Sequence, residues 1–227
     1  MLRTTVSSVC LAALLVGAAV TIHADVVFFN VTSTADVSSG SIVCGGSNGA
    51  CLFLGGLIEA EAFTPVADYT MTDAQVLVEA PEAVPGDSDF NVFLYSNSSG
   101  VPGSPIEQIG FGLAAAAAYS LITADTIATP ITLTSGTEYW LVLKPADSGS
   151  FINWGNGGSP SVPFAYSANG GSDWDPGTNT DQFQIDGAPV SASIPEPSSL
   201  LLLATVALPL YLCGAKLSAR HTTRIGS

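Results

Sequence analysis

Two short stretches of this chain space carboxylates as oxygen-ligand chemistry requires. Asp87 and Asp89 form one Asp-x-Asp pair, and Asp173 and Asp175 form another around Trp174. Calcium takes six to eight oxygen ligands, which acidic turns and backbone carbonyls readily supply. These four acids are therefore the candidate calcium ligands, and calcium is the one cofactor the sequence suggests. Neither pair extends into an EF-hand loop, and Asp favours turns for its own backbone hydrogen bonds, so solvated turn acids are the plainer reading. Trp174 between Asp173 and Asp175 also has the composition of a glycan contact, a ring to stack on a sugar and acids to accept its hydroxyls. Trp154 and Tyr166 would extend that surface. Aromatic residues are more often buried than offered as platforms, which favours Trp174 folding back over Gly170 and Gly171 to close one end of the core.

What is missing narrows the chemistry further. Both histidines, His23 and His221, lie near the chain ends, and no arginine occurs between residues 25 and 194. A Ser-His-Asp or Cys-His arrangement there has no base, and a His-ligated zinc or copper site has no ligand. Carboxylate pairs can hydrolyse glycosides, but that span holds 18 acids and nothing marks out a pair. The expectation is a non-enzyme, with a carboxylate-based glycoside hydrolase as a distant third reading. Lys144 is the only cation against those 18 acids, a net charge of about −17. Such a surface repels nucleic acid, because nothing neutralises phosphate, whereas neutral glycans and divalent cations remain compatible partners.

The ends of the chain explain where the cations went. Arg3 precedes an apolar run from Val9 to Val20 and a small residue, Ala24, in the order of a signal peptide and its cleavage site. Residues 1–24 are thus expected to be removed by signal peptidase. At the other end Pro195-Glu196-Pro197 is followed by an apolar run, Leu200 to Cys213, and then by Lys216, Arg220 and Arg224. Borrowing flanking small residues gives a transmembrane helix over 198–215, near the length a bilayer requires. The basic tail, 216–227, satisfies the positive-inside rule. A Pro- and Ser-containing linker occupies 189–199.

Between the ends, residues 25–188 read as one all-β domain, a single β-sandwich of jelly-roll type. Ala74, Val76, Val78 and Ala80 alternate with Asp73, Gln75, Leu77 and Glu79, as in a strand with one buried face. Phe90, Val92 and Leu94 repeat the pattern. Ile131 and Leu133 lead through Gly136 into Tyr139–Leu143, predicting a hairpin whose second strand, apolar on both faces, runs through the middle of the sandwich. The alanine-rich stretch 113–128 could form a helix or a loop. Cys44 and Cys51 frame a glycine-rich loop, and in an oxidising compartment a disulfide is the first reading.

The tail resembles the PEP-CTERM sorting signal of Gram-negative bacteria that make exopolysaccharide, on Pro195-Glu196-Pro197, the apolar run and the basic end. That resemblance implies recognition and cleavage by an exosortase, so that the C-terminal helix is a temporary membrane address, as in lipid-anchor tails. The domain is similar to the choice-of-anchor extracellular domains, most nearly the R type. The shared features are Phe63-Thr64, Val92–Ser96 before Gly100-Val101-Pro102-Gly103, Leu133–Leu141, Asn153-Trp154, and Ser167–Trp174. This implies a surface module without assigned catalytic residues. Together these readings predict an exported structural or adhesive protein of the envelope or exopolysaccharide matrix, passing through an inner-membrane intermediate to the cell surface. The alternative is a carbohydrate-binding module centred on Trp174.

Overall fold

The computed structural model describes residues 24–190, apart from 35, 36, 38, 48–50, 52–55 and 82–87. The signal peptide, the Pro-Glu-Pro motif, the apolar C-terminal run and the basic tail lie outside the described residues, as does Asp87. Among the described residues the chain is all-β, with thirteen strands and no helix. No helix there is long and apolar enough to cross a membrane.

The strands are β1 (Asp25–Phe29), β2 (Gly40–Gly45), β3 (Gly56–Phe63), β4 (Tyr69–Glu79), β5 (Asp89–Ser98), β6 (Val101–Ala114), β7 (Ser120–Ala124), β8 (Ile131–Leu133), β9 (Tyr139–Pro145), β10 (Phe151–Gly155), β11 (Phe164–Ser167), β12 (Asp175–Gly177) and β13 (Phe183–Pro189). The main hydrogen-bonded order is β1-β13-β4-β10-β2-β3-β9-β5-β6. β4 carries β13 and β10 end to end along one edge and β8 and β7 along the other. β2 turns into β3 through the pairs Cys44–Leu57 and Gly45–Gly56, joining this part to β3, β9, β5, β6, β11 and β12.

Alternation explains how the sheet closes over its core. Val76 and Val78 on β4, Val92 and Leu94 on β5, Leu141 and Leu143 on β9, and Phe183 and Ile185 on β13 are all buried in one cluster. In a strand, successive side chains take opposite faces, so the intervening residues of β9 must find cover elsewhere. Trp140 and Val142 do so with Ile58, Ala60, Ala62 and Tyr95 in a second cluster on the far side. β9 is thus apolar on both faces because both are covered, and it lies between β3 and β5.

Two local expectations are corrected. β8 and β9 do not form a hairpin: β8 pairs with β4, and β9 pairs with β3 and β5. The turn at Gly136 (φ 72°) is present, but β9 needs apolar neighbours on both edges, and short β8 fills the edge of β4 beside Tyr69–Met71 instead. The alanine-rich stretch is neither wholly loop nor helix. β6 runs to Ala114, a turn follows, and β7 puts Ala124 in the core against β4. Where β5 meets β6, Ser99 and Gly100 both have positive φ, the backbone that a two-residue hairpin with right-handed strand twist requires.

Candidate functional site

The strand β3 reads Gly-Leu-Ile-Glu-Ala-Glu-Ala-Phe. Ile58, Ala60 and Ala62 face the outer cluster, and Phe63 faces the main core. Period two therefore puts Glu59 and Glu61 on the Phe63 face, inside the protein. Both are buried, Glu59 3% exposed and Glu61 fully enclosed. Register fixes their neighbours: Glu59 lies between Leu143 of β9 and Tyr166 of β11, and Glu61 between Leu141 and Phe164.

A third carboxyl meets them from the junction between β10 and β13. There Asn156 bridges to Asp181, and Asp181 is fully buried. The junction is held by side chains in place of a continuous ladder. Asn30 Nδ2 donates to the Asp181 carbonyl at 2.9 Å, and the Phe183 N–H donates to Asn30 Oδ1 at 2.7 Å. Trp154 Nε1 donates to the Gln182 carbonyl at 3.0 Å, and Gln182 Nε2 donates to the Asn156 carbonyl at 2.8 Å. The Asp181 N–H donates to Glu61 Oε1, tying the junction to β3.

Ser41 sits at the centre of this arrangement. Its hydroxyl oxygen is 2.9 Å from Asp181 Oδ1 and 3.1 Å from Asn156 Oδ1, and it accepts from Asn179 Nδ2 at 2.8 Å. Glu59 also hydrogen-bonds to Ser41. One hydroxyl proton cannot serve three acceptors at once. Burial favours protonated carboxyls here. Desolvation, then the charge of Asp181, raises Glu59 well above the ordinary 4.5. The same two causes push Glu61 up to about 10. Desolvation, opposed by the Ser41 hydrogen bond, pushes Asp181 up to about 8. Even so, Glu59 Oε2, Glu61 Oε2 and Asp181 Oδ2 are each buried without a hydrogen-bond partner.

A cleft of about 390 Å³ opens beside this trio, lined by Leu57, Glu59, Phe164, Tyr166, Thr178 and Asn179 among others. Glu59 is the one carboxyl of the trio that reaches it. A glycosidase needs two acids flanking a substrate bond, and of the trio Glu59 alone lines the cleft. The arrangement can instead store protons, accept hydrogen bonds or balance a positive charge.

The residues singled out by the sequence lie elsewhere. Trp174 packs on the outer cluster, edge-on to Tyr95 at 6.3 Å between ring centroids. Lys144 Nζ lies 5.1 Å from the ring centres of both Phe93 and Tyr95 in the same layer. Trp154, fully buried in the main core, is no part of a stacking surface, whereas Tyr166 is 36% exposed at the cleft. Asp173 Oδ2 accepts from Asn169 Nδ2 at 2.8 Å within its own turn, and Asp175 is exposed on β12. Asp89 opens β5. Among the described residues no three acidic, histidine or cysteine side chains are placed to hold a metal ion. Cys44 and Cys51 are joined by a disulfide, with Cα atoms 6.2 Å apart. Sequence reasoning passed over Glu59 and Glu61, although their spacing in an otherwise apolar strand ending in Phe63 was the available signal.

No family model matches the chain, and no curated protein or solved structure shows significant similarity to it.

Proposed function

We propose that the chain is an exported surface or matrix protein, a β-sandwich of jelly-roll type delivered by a cleavable signal and a PEP-CTERM-like tail, with a structural or adhesive role. The order of segments carries this reading. The last strand, β13, ends at Pro189, and Pro195-Glu196-Pro197, an apolar run and a basic end follow within the remaining residues. A tail of that order is a delivery address. The disulfide between Cys44 and Cys51 fits an oxidising destination. The absence of His and Arg between residues 25 and 194 favours a non-catalytic role. Exosortase and signal peptidase would be transient partners, and exopolysaccharide the lasting one.

The test is the fate of the C-terminus in a host with an exosortase. Mass spectrometry of the surface fraction should find the chain cut near Pro195-Glu196-Pro197. Replacing that tripeptide by three alanines should leave full-length protein in the inner membrane. Identical processing and location of the two forms would sink the reading. Glycan recognition through Trp174 is the weaker second reading, because its ring covers the outer cluster against Tyr95. A glycan array on which Trp174→Ala loses binding while retaining its fold would revive it.

A further inference from the structure

The buried carboxyl trio and the cleft share two residues. Glu59 and Asn179 both line the cleft, and both hydrogen-bond to Ser41. Glu59 is thus a buried residue that lines an open recess, and its Oε2 is enclosed without a hydrogen-bond partner. A buried charge persists only when something pairs with it. Nothing in the described chain does: Lys144, the only Lys or Arg there, lies over Phe93 and Tyr95. By alternation it projects from the face of β9 opposite to Leu143, which is Glu59's neighbour.

The surroundings of Glu59 select the kind of cation. A metal needs several converging ligands, and no three suitable side chains are so placed among the described residues. The recess is aromatic on its β11 side, where Phe164 and Tyr166 lie 6.4 Å apart between ring centroids, beside Glu61 and Glu59 in register. Aromatic rings beside a carboxylate suit an organic cation, which takes charge pairing from one and cation–π and apolar contact from the other. Asn179 and Thr178 add neutral polar groups. The volume lies within the range of small-molecule sites.

We propose that this cleft binds a protonated primary amine, with its ammonium group on Glu59 and its carbon skeleton against Tyr166 and Phe164. The assignment goes beyond the delivery reading and does not depend on it. Burial favours a proton on Glu59 where no cation pairs with it. On binding, the ammonium group replaces that proton, which leaves to solvent, so charge is conserved in the site. The titratable groups around Glu59 are Glu61 on its own strand, Asp181 from the β10–β13 junction and Tyr166 on β11. β9 contributes Leu143 and β2 the Ser41 hydroxyl. Of the three acids only Glu59 lines the cleft, so it is the one placed to meet the ammonium group.

The test is calorimetric titration of the full chain in detergent with glucosamine, 1,4-diaminobutane and N-acetylglucosamine, in buffers of different ionisation enthalpy. At least one of the two amines should bind with release of a proton, and affinity should rise by up to about tenfold per pH unit while Glu59 is protonated. Which amine binds separates an amino sugar from an aliphatic amine as the source. N-acetylglucosamine, which lacks the charge, should not bind. Glu59→Gln, which keeps the shape, and Tyr166→Ala, at an exposed position, should each weaken binding by at least about tenfold. If Glu59→Gln fails to fold, the Tyr166 variant and the proton count still decide. Silence from both amines with folded protein, equal binding of the acetylated sugar, binding without proton release, or unchanged affinity in the folded variants would each overturn the proposal.

Discussion

Ser41 and Asp181 lie 140 positions apart in sequence, and the Ser41 oxygen rests 2.9 Å from Asp181 Oδ1 in the protein interior. That contact ties β2 to the junction between β10 and β13, and through Glu61 to β3. The network joins strands from both halves of the sheet, yet it contains three acids and no base. Apolar residues in these positions would avoid the desolvation cost altogether. Burial therefore favours the protonated form of each acid in the cluster.

Stability should fall as pH rises. An acid whose folded value is raised binds more protons folded than unfolded between its two values, so stability declines across that interval. The interval starts near the ordinary carboxylate range, and it ends near 8 for Asp181 and near 10 for Glu61. Urea denaturation at pH 5, 7 and 9 should give a steadily decreasing unfolding free energy. Asp147 acts in the opposite sense. Its carboxylate, held low by the Gly149 N–H and the Ser150 hydroxyl, adds stability above its ordinary value that is lost as pH falls through the lowered one. It is fully exposed, and its effect should be minor beside the trio. A stability maximum above pH 8 would contradict the assignment.

Glu61→Gln separates charge from shape at a fully enclosed position. The amide keeps an oxygen to accept from the Asp181 N–H and has no proton to lose. The variant should show a flatter loss of stability between pH 7 and 10, and at pH 9 it should be at least as stable as the parent. Ser41→Ala should do harm at every pH. It removes the partner of Asn179 Nδ2 and Asp181 Oδ1, at a cost of about 1–3 kcal/mol for buried polar groups left unmet. Parallel denaturation curves of the two variants check both expectations.

The sequence made some of this visible and hid the rest for a physical reason. Strands such as β4, β5 and β9 were legible because Val76, Val78, Val92, Leu94, Leu141 and Leu143 fall into period-two or continuous apolar runs. The partner of β8 was not, because pairing is set by which edges remain free, and β4 offered one. Leu77 falls on the polar side of the β4 alternation yet is fully buried, since β4 is covered on both sides at that point. The trio was harder still. Acids are normally solvated, so Glu59 and Glu61 read as an outward face until Phe63 fixes their direction. Asp181 lies 120 positions from Glu61, and no local pattern announces that meeting. Asn30, part of an Asn-Val-Thr sequence that resembles a glycan acceptor, is likewise fully buried and bonded to the backbone at Asp181 and Phe183.

The tryptophans should differ in what they support. Trp154 is fully enclosed, packs against Phe183 and satisfies the Gln182 carbonyl. Trp154→Ala should cost about 3–5 kcal/mol, the range for large aromatic deletions in cores. Trp174 is only partly buried over the outer cluster, and its indole N–H has no partner. Less than a full side-chain transfer is at stake there, so Trp174→Ala should cost about 1–2 kcal/mol. Equal losses by chemical denaturation would mean that Trp174 closes the core as firmly as Trp154 does.

The disulfide should matter for stability more than for shape. Cys44 lies one residue before the end of β2, paired with Leu57 of β3, and both cysteines are buried with Phe151. The bridge closes a loop of sequence separation 7, and for a loop that short the lost chain entropy of the unfolded state is worth about 2–3 kcal/mol. For a domain of this size each kcal/mol moves the melting temperature by roughly 2–4 °C. Replacing both cysteines by serine adds buried hydroxyls, so paired alanine substitutions isolate the cross-link better. The Cys44→Ala, Cys51→Ala double variant should therefore melt roughly 5–10 °C lower with an unchanged far-ultraviolet spectrum. The pairs Cys44–Leu57 and Phe151–Cys44 are backbone contacts that survive the substitution, which is why the strands should remain. Reductant should lower the parent's melting temperature towards that of the variant and leave the variant unmoved. A variant that melts with the untreated parent would show that the hairpin's own pairing already restrains the loop.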